Sequence, residues 1–557
     1  MKHAKKASVN MLKIFSLCNK YLMKHLLKLT AFLIFNLIVI INSLILPYIT
    51  GDFIDSLITA DNSSFILTYI FLVSIFGVIG ITFDFVTERL YTVLQTTAWY
   101  QLNKDLIIHV QKLPLLFIQK QDMIYLNKVL NYDSNMLIIF YLNFVKNFIS
   151  NLILVAVPLF IIFTLSTHVM LIIIISLFIY YLGYLLFKKP LYIINFEFKE
   201  EQSYFFSKLH EQLANVRFIK LQGLLESFSS RLDSRFTQVL SKALGLQKIN
   251  FLYSSYDQFV TLLSRIALMT VCGIQVINNQ LTVGEFTIIL SYFTIISSAI
   301  RYYFTLAQSI QESMVSYNRL QNFLMLKEAQ EGCLDLQEIY KIELKNTTFS
   351  YGLNKIYSDY NLKFEKGKMY AVLGSNGAGK STLINLITGM YIGDFDGEIL
   401  YNDQSIKSIK LRQILGRNIA VSEQEPFLLA DTIQYNLALD DEVSFEQDTL
   451  NQFIDMLGLN DFYASLPNGI NSIINEASSN LSGGEKQKLS LLRVLLKDSD
   501  VIILDEPTSA LDRFGKKNLR DYLNKVKKDK IIIVVTHDQD FISDFDEKIL
   551  IERRECN

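Results

Sequence analysis

The chain has 557 residues, which is too long for one ordinary domain. Hydrophobic residues make up 51% and charged residues 19%, with a mean hydropathy of +0.28; these values exclude a disordered chain and argue against a fully soluble enzyme. The formal net charge of −1 gives no reason to expect a nucleic-acid partner.

The apolar residues are concentrated before about residue 310. A helix needs about 20 apolar residues to cross a bilayer, and six segments approach that length. A cleaved signal peptide is the alternative for the first segment, but its apolar run is too long and no small-residue cleavage site follows it. The sequence therefore predicts an integral membrane protein with spans near 29–48, 65–83, 149–165, 169–187, 259–277 and 286–306.

Lys and Arg are unevenly distributed around these spans. The linker 49–64 contains neither residue, whereas the N-terminus and the connections after the second and fourth spans contain many. Positively charged loops stay in the cytoplasm. We therefore expect both termini and both long connections to be cytoplasmic. The size of the chain and its Lys, Ile and Asn usage indicate a bacterial plasma membrane.

The two long connections, 84–148 and 188–258, have helical periodicity with little Gly or Pro. This pattern predicts helices that continue from the spans into the cytoplasm and return. Their turns, near 122–127 and 223–227, would present short surfaces to a cytoplasmic partner. Separate small soluble insertions are the less favoured alternative.

Several charged residues lie within or beside the apolar helices. Such groups usually face a bundle interior or water, because a charge that faces lipid is costly. A substrate cavity is one interpretation, but hydrated cytoplasmic helix ends with snorkelling side chains are the favoured explanation for each of them. We predict no binding site from these residues, which are Lys146, Asp257, Arg265, Arg301 and Glu312.

Beyond about residue 315, short β-type runs alternate with amphipathic stretches. This alternation predicts an α/β domain with a largely parallel sheet. The fold class expected for the whole chain is multidomain. An all-α, six-helix transmembrane domain (1–315) is followed by a connector (316–340) and an α/β domain (341–557).

A glycine-rich loop follows the strand-like run 369–373 and precedes an amphipathic helix, which is the context of a phosphate-binding loop. The glycines let backbone N–H groups approach phosphates closely, and the helix N-terminus favours negative charge. Lys380 is expected to reach the β- and γ-phosphates, and the Ser381 hydroxyl to bind Mg²⁺. The loop consists of Gly374, Ser375, Asn376, Gly377, Ala378, Gly379, Lys380, Ser381 and Thr382.

Polar residues end two further buried-strand runs. The run 501–504 ends in Asp505 and Glu506, and two adjacent carboxylates repel each other unless a cation or a reaction uses them. Asp505 can hold Mg²⁺, and Glu506 can polarise an attacking water. The run 531–535 ends in Thr536 and His537, where His537 could sense a γ-phosphate. The domain 341–557 is therefore predicted to be a P-loop ATPase that uses ATP and Mg²⁺.

These elements together resemble the ATP-binding cassette family. The most specific of them is the run Leu481-Ser482-Gly483-Gly484-Glu485, which is similar to the signature motif of that family and lies upstream of the paired carboxylates, as the family requires. The resemblance implies that Ser482, Gly483 and Gly484 bind nucleotide held by another domain.

The same resemblance gives roles to residues outside these motifs. Tyr351 matches the aromatic residue that stacks on adenine, and Gln424 matches the glutamine that touches Mg²⁺ and couples to the membrane domain. His537 matches the switch histidine, and the run 509–512 matches the loop that communicates across the dimer. Glu476 lies where exporters have a cross-communication glutamate. The implied catalytic set is Glu506, His537 and Gln424, and the implied metal ligands are Ser381, Gln424 and Asp505.

The membrane half resembles the exporter type of the family, which has six spans and two long cytoplasmic connections. One departure from the family pattern is Glu485, since the family usually has Gln there. Its carboxylate could compete with phosphate for the positive helix end, or it could point away. Loss of activity is not expected, because the other elements are intact.

The resemblance also implies how the chain would work. One set of motifs makes it half a transporter that pairs with a second copy of itself, or with a different half, in the lipid bilayer. ATP would then join the two ATPase domains, and this closure would drive export by alternating access. The expected cargo is a peptide or an amphipathic small molecule; the alternatives are a lipid flippase and an ATP-gated channel or regulator.

Overall fold

The computed structural model describes residues 2–59, 64–121, 123–329, 332–440, 445–475 and 480–552. They form two compact units. The helical unit comprises Met1–Ile108 and Asp122–Met325, and the α/β unit comprises His109–Gln121 and Leu326–Asn557. The first ten α-helices are α1 (Lys2–Leu22), α2 (Leu26–Thr59), α3 (Ser64–Gln111), α4 (Leu115–Gln119), α5 (Met123–Asn127), α6 (Ser134–Leu165), α7 (Thr167–Ala214), α8 (Val216–Leu221), α9 (Leu225–Ile277) and α10 (Val283–Leu324).

Six helices in the described residues are long and apolar enough to cross a membrane, which confirms the predicted number. Each predicted span lies inside one helix, in the order α2, α3, α6, α7, α9 and α10. These helices extend well past the apolar runs, because a helix of 48 residues such as α7 is about 70 Å long at 1.5 Å per residue. The two long connections are thus continuous helices with short turns.

The helical unit has a buried apolar cluster drawn from α2, α6, α7, α9 and α10. At its centre Tyr292 is 1% exposed, and its hydroxyl donates to the carbonyl of Leu44 at 2.8 Å. The start of α10 is fixed by a capping box between Thr282 and Glu285. The Asp55 carboxylate accepts from the Thr282 hydroxyl at 2.6 Å, which ties the end of α2 to this cap.

Most of the charges that the sequence places near the spans are paired. Lys146 contacts Glu88 at 2.5 Å, and Arg301 contacts Asp257 at 2.7 Å. Glu312 contacts Lys199 at 2.6 Å. The carboxylate partners make these charges easier to accommodate beside apolar helices. Arg265 is exposed on α9.

The α/β unit has nine strands in the described residues, arranged in two sheets. A five-stranded parallel sheet has the order β6-β7-β8-β3-β9, and a four-stranded antiparallel sheet has the order β2-β1-β4-β5. The parallel sheet confirms the predicted α/β fold, and the antiparallel sheet is an addition to it. The strands are β1 (Lys341–Tyr351), β2 (Asn354–Glu365), β3 (Met369–Leu373), β4 (Phe395–Tyr401), β5 (Gln404–Ser405), β6 (Ile419–Ser422), β7 (Val501–Asp505), β8 (Ile531–Val535) and β9 (Glu547–Leu550).

The parallel sheet is buried on both faces, as its apolar strands predict. Along β8, Ile531 and Ile533 pack into one apolar cluster, and Ile532 and Val534 pack into another. The alternation follows from the two-residue period of a strand. The helices of this unit after α4 are α11 (Lys380–Ile387), α12 (Leu411–Arg417), α13 (Ile433–Ala438), α14 (Gln447–Met456), α15 (Asn460–Ser465), α16 (Gly483–Leu496) and α17 (Arg513–Val526).

The segment His109–Gln121, which contains α4, belongs to the α/β unit. The turn begins at Lys112, directly after α3, and Pro114 precedes α4. This turn lies ahead of the expected turn at 122–127; residue 122 itself lies outside the described part of the chain. The helix α10 continues to Leu324, nine residues beyond the expected domain boundary at 315. The second turn lies between α8 and α9, at residues 222–224.

Candidate functional site

The order of the parallel sheet brings three polar loops to one edge. Strand β8 lies between β7 and β3, and its last residue, Val535, is level with Asp505 on one side and with Val372 on the other. The loops that follow these strands therefore start side by side. Ligands of open α/β sheets bind at this carboxyl edge.

The glycine-rich loop joins β3 to α11 as predicted. Gly379 precedes α11 with φ +110°, and a Cβ at this position would lie 2.7 Å from Ile356, so a side chain is excluded there. Ser375, Asn376 and Gly377 are exposed at the loop tip, and Ser381 is exposed in the first turn of α11. The loop thus presents backbone N–H groups and a hydroxyl at a helix N-terminus, as phosphate binding requires.

Three of the predicted residues are in direct contact. The Lys380 ammonium lies 3.0 Å from His537 Nε2 and donates to the carbonyl of Gly374 at 2.7 Å. Because an ammonium can only donate, His537 Nε2 accepts this bond. His537 Nε2 also lies 3.7 Å from the Glu506 carboxylate, and Thr536 Oγ1 donates to Glu506 at 3.4 Å. The structure therefore brings together the ends of β3, β7 and β8.

The electrostatics at Asp505 favour a cation. Burial first, and then the nearby Glu506 carboxylate, raises the pKa of Asp505 to about 6, whereas Lys380 acts in the opposite direction. Two close carboxylates in a partly buried place are costly unless positive charge is supplied. Oxygen ligands suit Mg²⁺, so the donor set of Asp505 with the Ser381 hydroxyl fits this ion.

Glu506 has a left-handed backbone, with φ +50°. This conformation costs free energy for a residue with a side chain and is found preferentially at functional sites. It is held by the Glu506 N–H, which donates to the carbonyl of Val535 at 2.8 Å. As a result the Glu506 side chain, 18% exposed, lies beside His537.

Tyr351 ends β1 and is 39% exposed, so part of its ring is available for a planar ligand. Its hydroxyl lies 2.8 Å from that of Tyr391 and 3.3 Å from Thr382 Oγ1. Thr382, the last residue of the predicted loop, is buried and faces Tyr351. The proposed adenine-stacking residue and the glycine-rich loop are therefore directly connected.

The residues of the predicted signature begin α16. Ser482 is the N-cap, and its hydroxyl and N–H both lie 2.7 Å from Glu485 Oε2, in a capping box. The Glu485 carboxylate therefore does not point away. It occupies the helix start that the sequence suggests for a phosphate, and it engages the Ser482 hydroxyl itself. The contacts described for Ser482 run to residues of its own helix.

Gln487 was not predicted from the sequence, yet it connects three of the motifs. From the second turn of α16, its amide nitrogen donates to the carbonyl of Gln424 at 2.9 Å. Its amide oxygen accepts from the Ser509 hydroxyl at 2.9 Å. Only its place five residues after Ser482 could have indicated this role. Glu476 lies outside the described residues.

Two family models match the chain. The model of the ABC transporter transmembrane region matches residues 29–300, and the ABC transporter model matches residues 357–509. The chain belongs to the ABC transporters. The membrane and ATP-binding parts of this ABC transporter are fused in one chain.

The overall fold is also that of an ABC exporter. A structure described as a bacterial Atm1-family ABC exporter with ATP bound superposes with a TM-score of 0.80 and 19% identity, and the match covers 95% of this chain and 94% of that one. At that identity the likeness shows the fold alone. It confirms the predicted six-helix membrane domain followed by an α/β ATPase domain.

Relatives of this ABC transporter include proteins named ATP-dependent lipid A-core flippase. The one from Wigglesworthia glossinidia brevipalpis is 28% identical over 362 residues, 62% of each chain. The one from Vibrio cholerae is 26% identical over 63% of this chain and 60% of its own. The one from Pasteurella multocida is 32% identical over 50% of this chain and 48% of its own. The chain thus matches about half to three fifths of the length of these curated relatives.

Proposed function

We propose that this chain is one half of an ATP-driven exporter that binds and hydrolyses ATP with Mg²⁺. The observation that carries the proposal is the convergence of Lys380, Asp505, Glu506 and His537 at one edge of the parallel sheet. These residue types are the ones that phosphoryl transfer needs for binding, metal coordination and water activation. The six apolar helices in the same chain support the proposal that hydrolysis drives transport across a membrane.

In the proposed mechanism each residue has a local task. The loop 374–382 and Lys380 bind the phosphates, and the Tyr351 ring stacks on the adenine. Glu506 accepts a proton from the attacking water, and His537 orients the γ-phosphate. Ser381, Asp505 and Gln424 would hold Mg²⁺, which when bound neutralises charge on the phosphate oxygens.

We further propose that two copies of the chain form the transporter. Ser482 and the glycines after it lie at the start of α16, and the contacts described for Ser482 run to its own helix. In the proposed dimer, each copy brings this helix start onto the nucleotide that its partner binds. The charge distribution around the spans supports cytoplasmic termini in a bacterial plasma membrane.

We propose an amphipathic cargo, a peptide or a small molecule, which suits a route through apolar helices. Lipid flipping is a second candidate, because the relatives named above are called lipid A-core flippases. Both candidates share ATP-driven movement of an amphiphile across the bilayer, and they differ in the cargo alone.

Proteoliposomes of the purified full chain test this function. We expect MgATP-dependent movement of one probe from a set comprising a fluorescent phospholipid, an amphipathic peptide and a hydrophobic dye, with ATP hydrolysis stimulated by the probe that is moved. The Glu506→Gln variant is the matched inactive control. Hydrolysis by the chain without movement of any probe would count against export. A chain that remains monomeric in the presence of MgATP would exclude the homodimer.

The signature carboxylate gives a separate prediction. Glu485→Gln removes one negative charge from the start of α16, while its amide oxygen can still accept from the Ser482 N–H. Since a charge at a helix terminus is worth about 0.3–1 kcal/mol, we expect the KM for ATP to fall about two- to five-fold. The effect should shrink as salt is added, because exposed charges are screened.

The control for Glu485 is Glu398→Gln, the same chemical change at an exposed position of β4. Steady-state ATPase assays at low and high salt measure both variants. An unchanged or higher KM in Glu485→Gln at low salt would show that the carboxylate does not oppose nucleotide binding.

A further inference from the structure

A buried tyrosine contacts the phosphate-binding loop from β2. Tyr357 lies opposite Phe349 of β1, and it is 4% exposed. Its hydroxyl donates to the backbone carbonyl of Gly379 at 2.9 Å. Gly379 is the N-cap residue of α11 and directly precedes Lys380. The bond therefore reaches the loop at the point where the helix begins.

The Tyr357 hydroxyl is the donor in this bond, because a backbone carbonyl can only accept. Burial first, and then the phenol groups of Tyr360 and Tyr351, raises the pKa of Tyr357 above the ordinary value of a tyrosine, so the hydroxyl keeps its proton at neutral pH. The ring belongs to the apolar cluster that also contains Leu383 and Ile384 of α11. Packing therefore holds the hydroxyl at the helix start.

The carbonyl of Gly379 accepts a second hydrogen bond. The Leu383 N–H donates to it at 2.9 Å, as the first bond of a helix does at its N-cap. The carbonyl would therefore keep a donor if the Tyr357 hydroxyl were removed, and no backbone group would be left unsatisfied. The bond from Tyr357 is thus additional to what the backbone of α11 requires.

The two bonds act on a group that can face a phosphate. The carbonyl of Gly379 and the N–H of Lys380 belong to one peptide group, and hydrogen bonds in series polarise one another. Donors at the carbonyl therefore make this N–H a stronger donor. The first N–H groups of a helix have no acceptor within the helix, and in a phosphate-binding loop the phosphates take that place.

The bond also restricts the orientation of this peptide group. Gly379 has φ +110°, a conformation that glycine adopts more freely than other residues and that leaves the backbone mobile in the absence of other contacts. A Cβ at Gly379 would lie 3.1 Å from the Tyr357 hydroxyl, so the hydroxyl lies close against the backbone there. Rotation of the peptide group would break the bond to Tyr357.

We propose that Tyr357 is a positioning residue that orients and polarises the Lys380 N–H toward the nucleotide phosphates. This inference rests on the proposed function and deepens it. Backbone N–H groups of such a loop contact the phosphates that ATP and ADP share, whereas the lysine side chain reaches the terminal one. Tyr357 thus affects both nucleotides, unlike the ammonium of Lys380.

The variant Tyr357→Phe tests the inference, because it removes one oxygen atom and keeps the ring. We expect the affinities for ATP and ADP to fall by the same factor, about two- to five-fold, since the bond to phosphate loses polarisation and alignment. Adenosine has no phosphate, so its affinity should change less than about two-fold, within the range of substitutions away from the contact. The kcat at saturating ATP should also change less than about two-fold, because Glu506 keeps its contacts.

The matched control is Tyr401→Phe. Tyr401 is buried in the same apolar cluster, and its hydroxyl donates to the backbone carbonyl of Ile387, the last residue of α11. The control therefore removes the same kind of bond from the other end of the same helix. We expect a comparable loss of thermal stability in both variants and a loss of nucleotide affinity in Tyr357→Phe alone.

Affinities are measured on the full chain in nanodiscs, in the Glu506→Gln background that prevents consumption of ATP. A fluorescent ATP analogue is titrated with Mg²⁺ and displaced by ATP, ADP or adenosine, and kcat is measured without the background substitution. Thermal unfolding of each variant is followed separately. A merely structural role of Tyr357 would lower thermal stability without separating the phosphorylated ligands from adenosine.

Three results would overturn the inference. These are unchanged affinities for ATP and ADP in Tyr357→Phe, equal losses in Tyr357→Phe and Tyr401→Phe, and a loss for adenosine as large as that for ADP. A chain with Tyr357 intact that bound neither ATP nor ADP would instead contradict the proposed function.

Discussion

Glu506→Gln should bind ATP about as well as the unaltered chain and hydrolyse it about 10²- to 10⁴-fold more slowly, the usual contribution of a general base. The amide keeps the size of the carboxylate but cannot accept the proton of the attacking water. Removal of its charge also leaves less repulsion beside Asp505, whose pKa the Glu506 carboxylate helps to raise. Nucleotide retention should therefore be unimpaired or improved.

Two measurements decide this result. Phosphate release over hours gives the turnover rate, and a fluorescent ATP analogue gives the affinity. Glu398→Gln is the control, since it makes the same substitution on an exposed part of β4. Turnover within two-fold of the unaltered chain would mean that Glu506 is not the base.

The membrane part of the fold could be predicted because its physical signal is local. A bilayer requires long apolar runs, and each of the six runs lies within a helix. The observed turn at α4 lies several residues ahead of the expected one at 122–127, and the reason is local. Pro114 disfavours helical backbone at the residue before it, and α4 starts directly after it.

The site could be predicted where its residues follow strands. Buried strands that end in polar residues must pair in some order, and any parallel order brings their ends to one edge. The antiparallel sheet gave no comparable signal, because the pairing of β1 with β4 joins residues that are far apart in the chain, such as Ile342 and Tyr401. Such pairing depends on tertiary packing and not on the sequence of either strand.

Residues that act through others were missed altogether. Gln487 and Tyr357 contact motif residues only after the helices and strands have packed. The left-handed backbone of Glu506 likewise depends on its bond to Val535 on the neighbouring strand. A motif indicates the residues that contact the nucleotide. The residues that position those motif residues are determined by the fold.

Lys380→Ala should weaken ATP binding about 10- to 100-fold, since a charge-assisted hydrogen bond contributes about 1.5–3 kcal/mol. In the structure the ammonium donates to Gly374 and lies 3.0 Å from His537, so it already stands between the loop and the residue expected to orient the γ-phosphate. The loss should be larger for ATP than for ADP, because Lys380 is placed to reach the terminal phosphate.

Titration of a fluorescent ATP analogue with competition by ADP measures both affinities. The control is Lys517→Ala, which removes the same charge from an exposed position of α17 and should leave both affinities within two-fold. Because Lys380 also lowers the pKa of Asp505, the alanine variant should need more Mg²⁺ for a given ATP occupancy, particularly near pH 6. Equal losses of affinity for ATP and ADP would show that Lys380 does not contact the γ-phosphate. An unchanged affinity for ATP would show that Lys380 does not take part in phosphate binding.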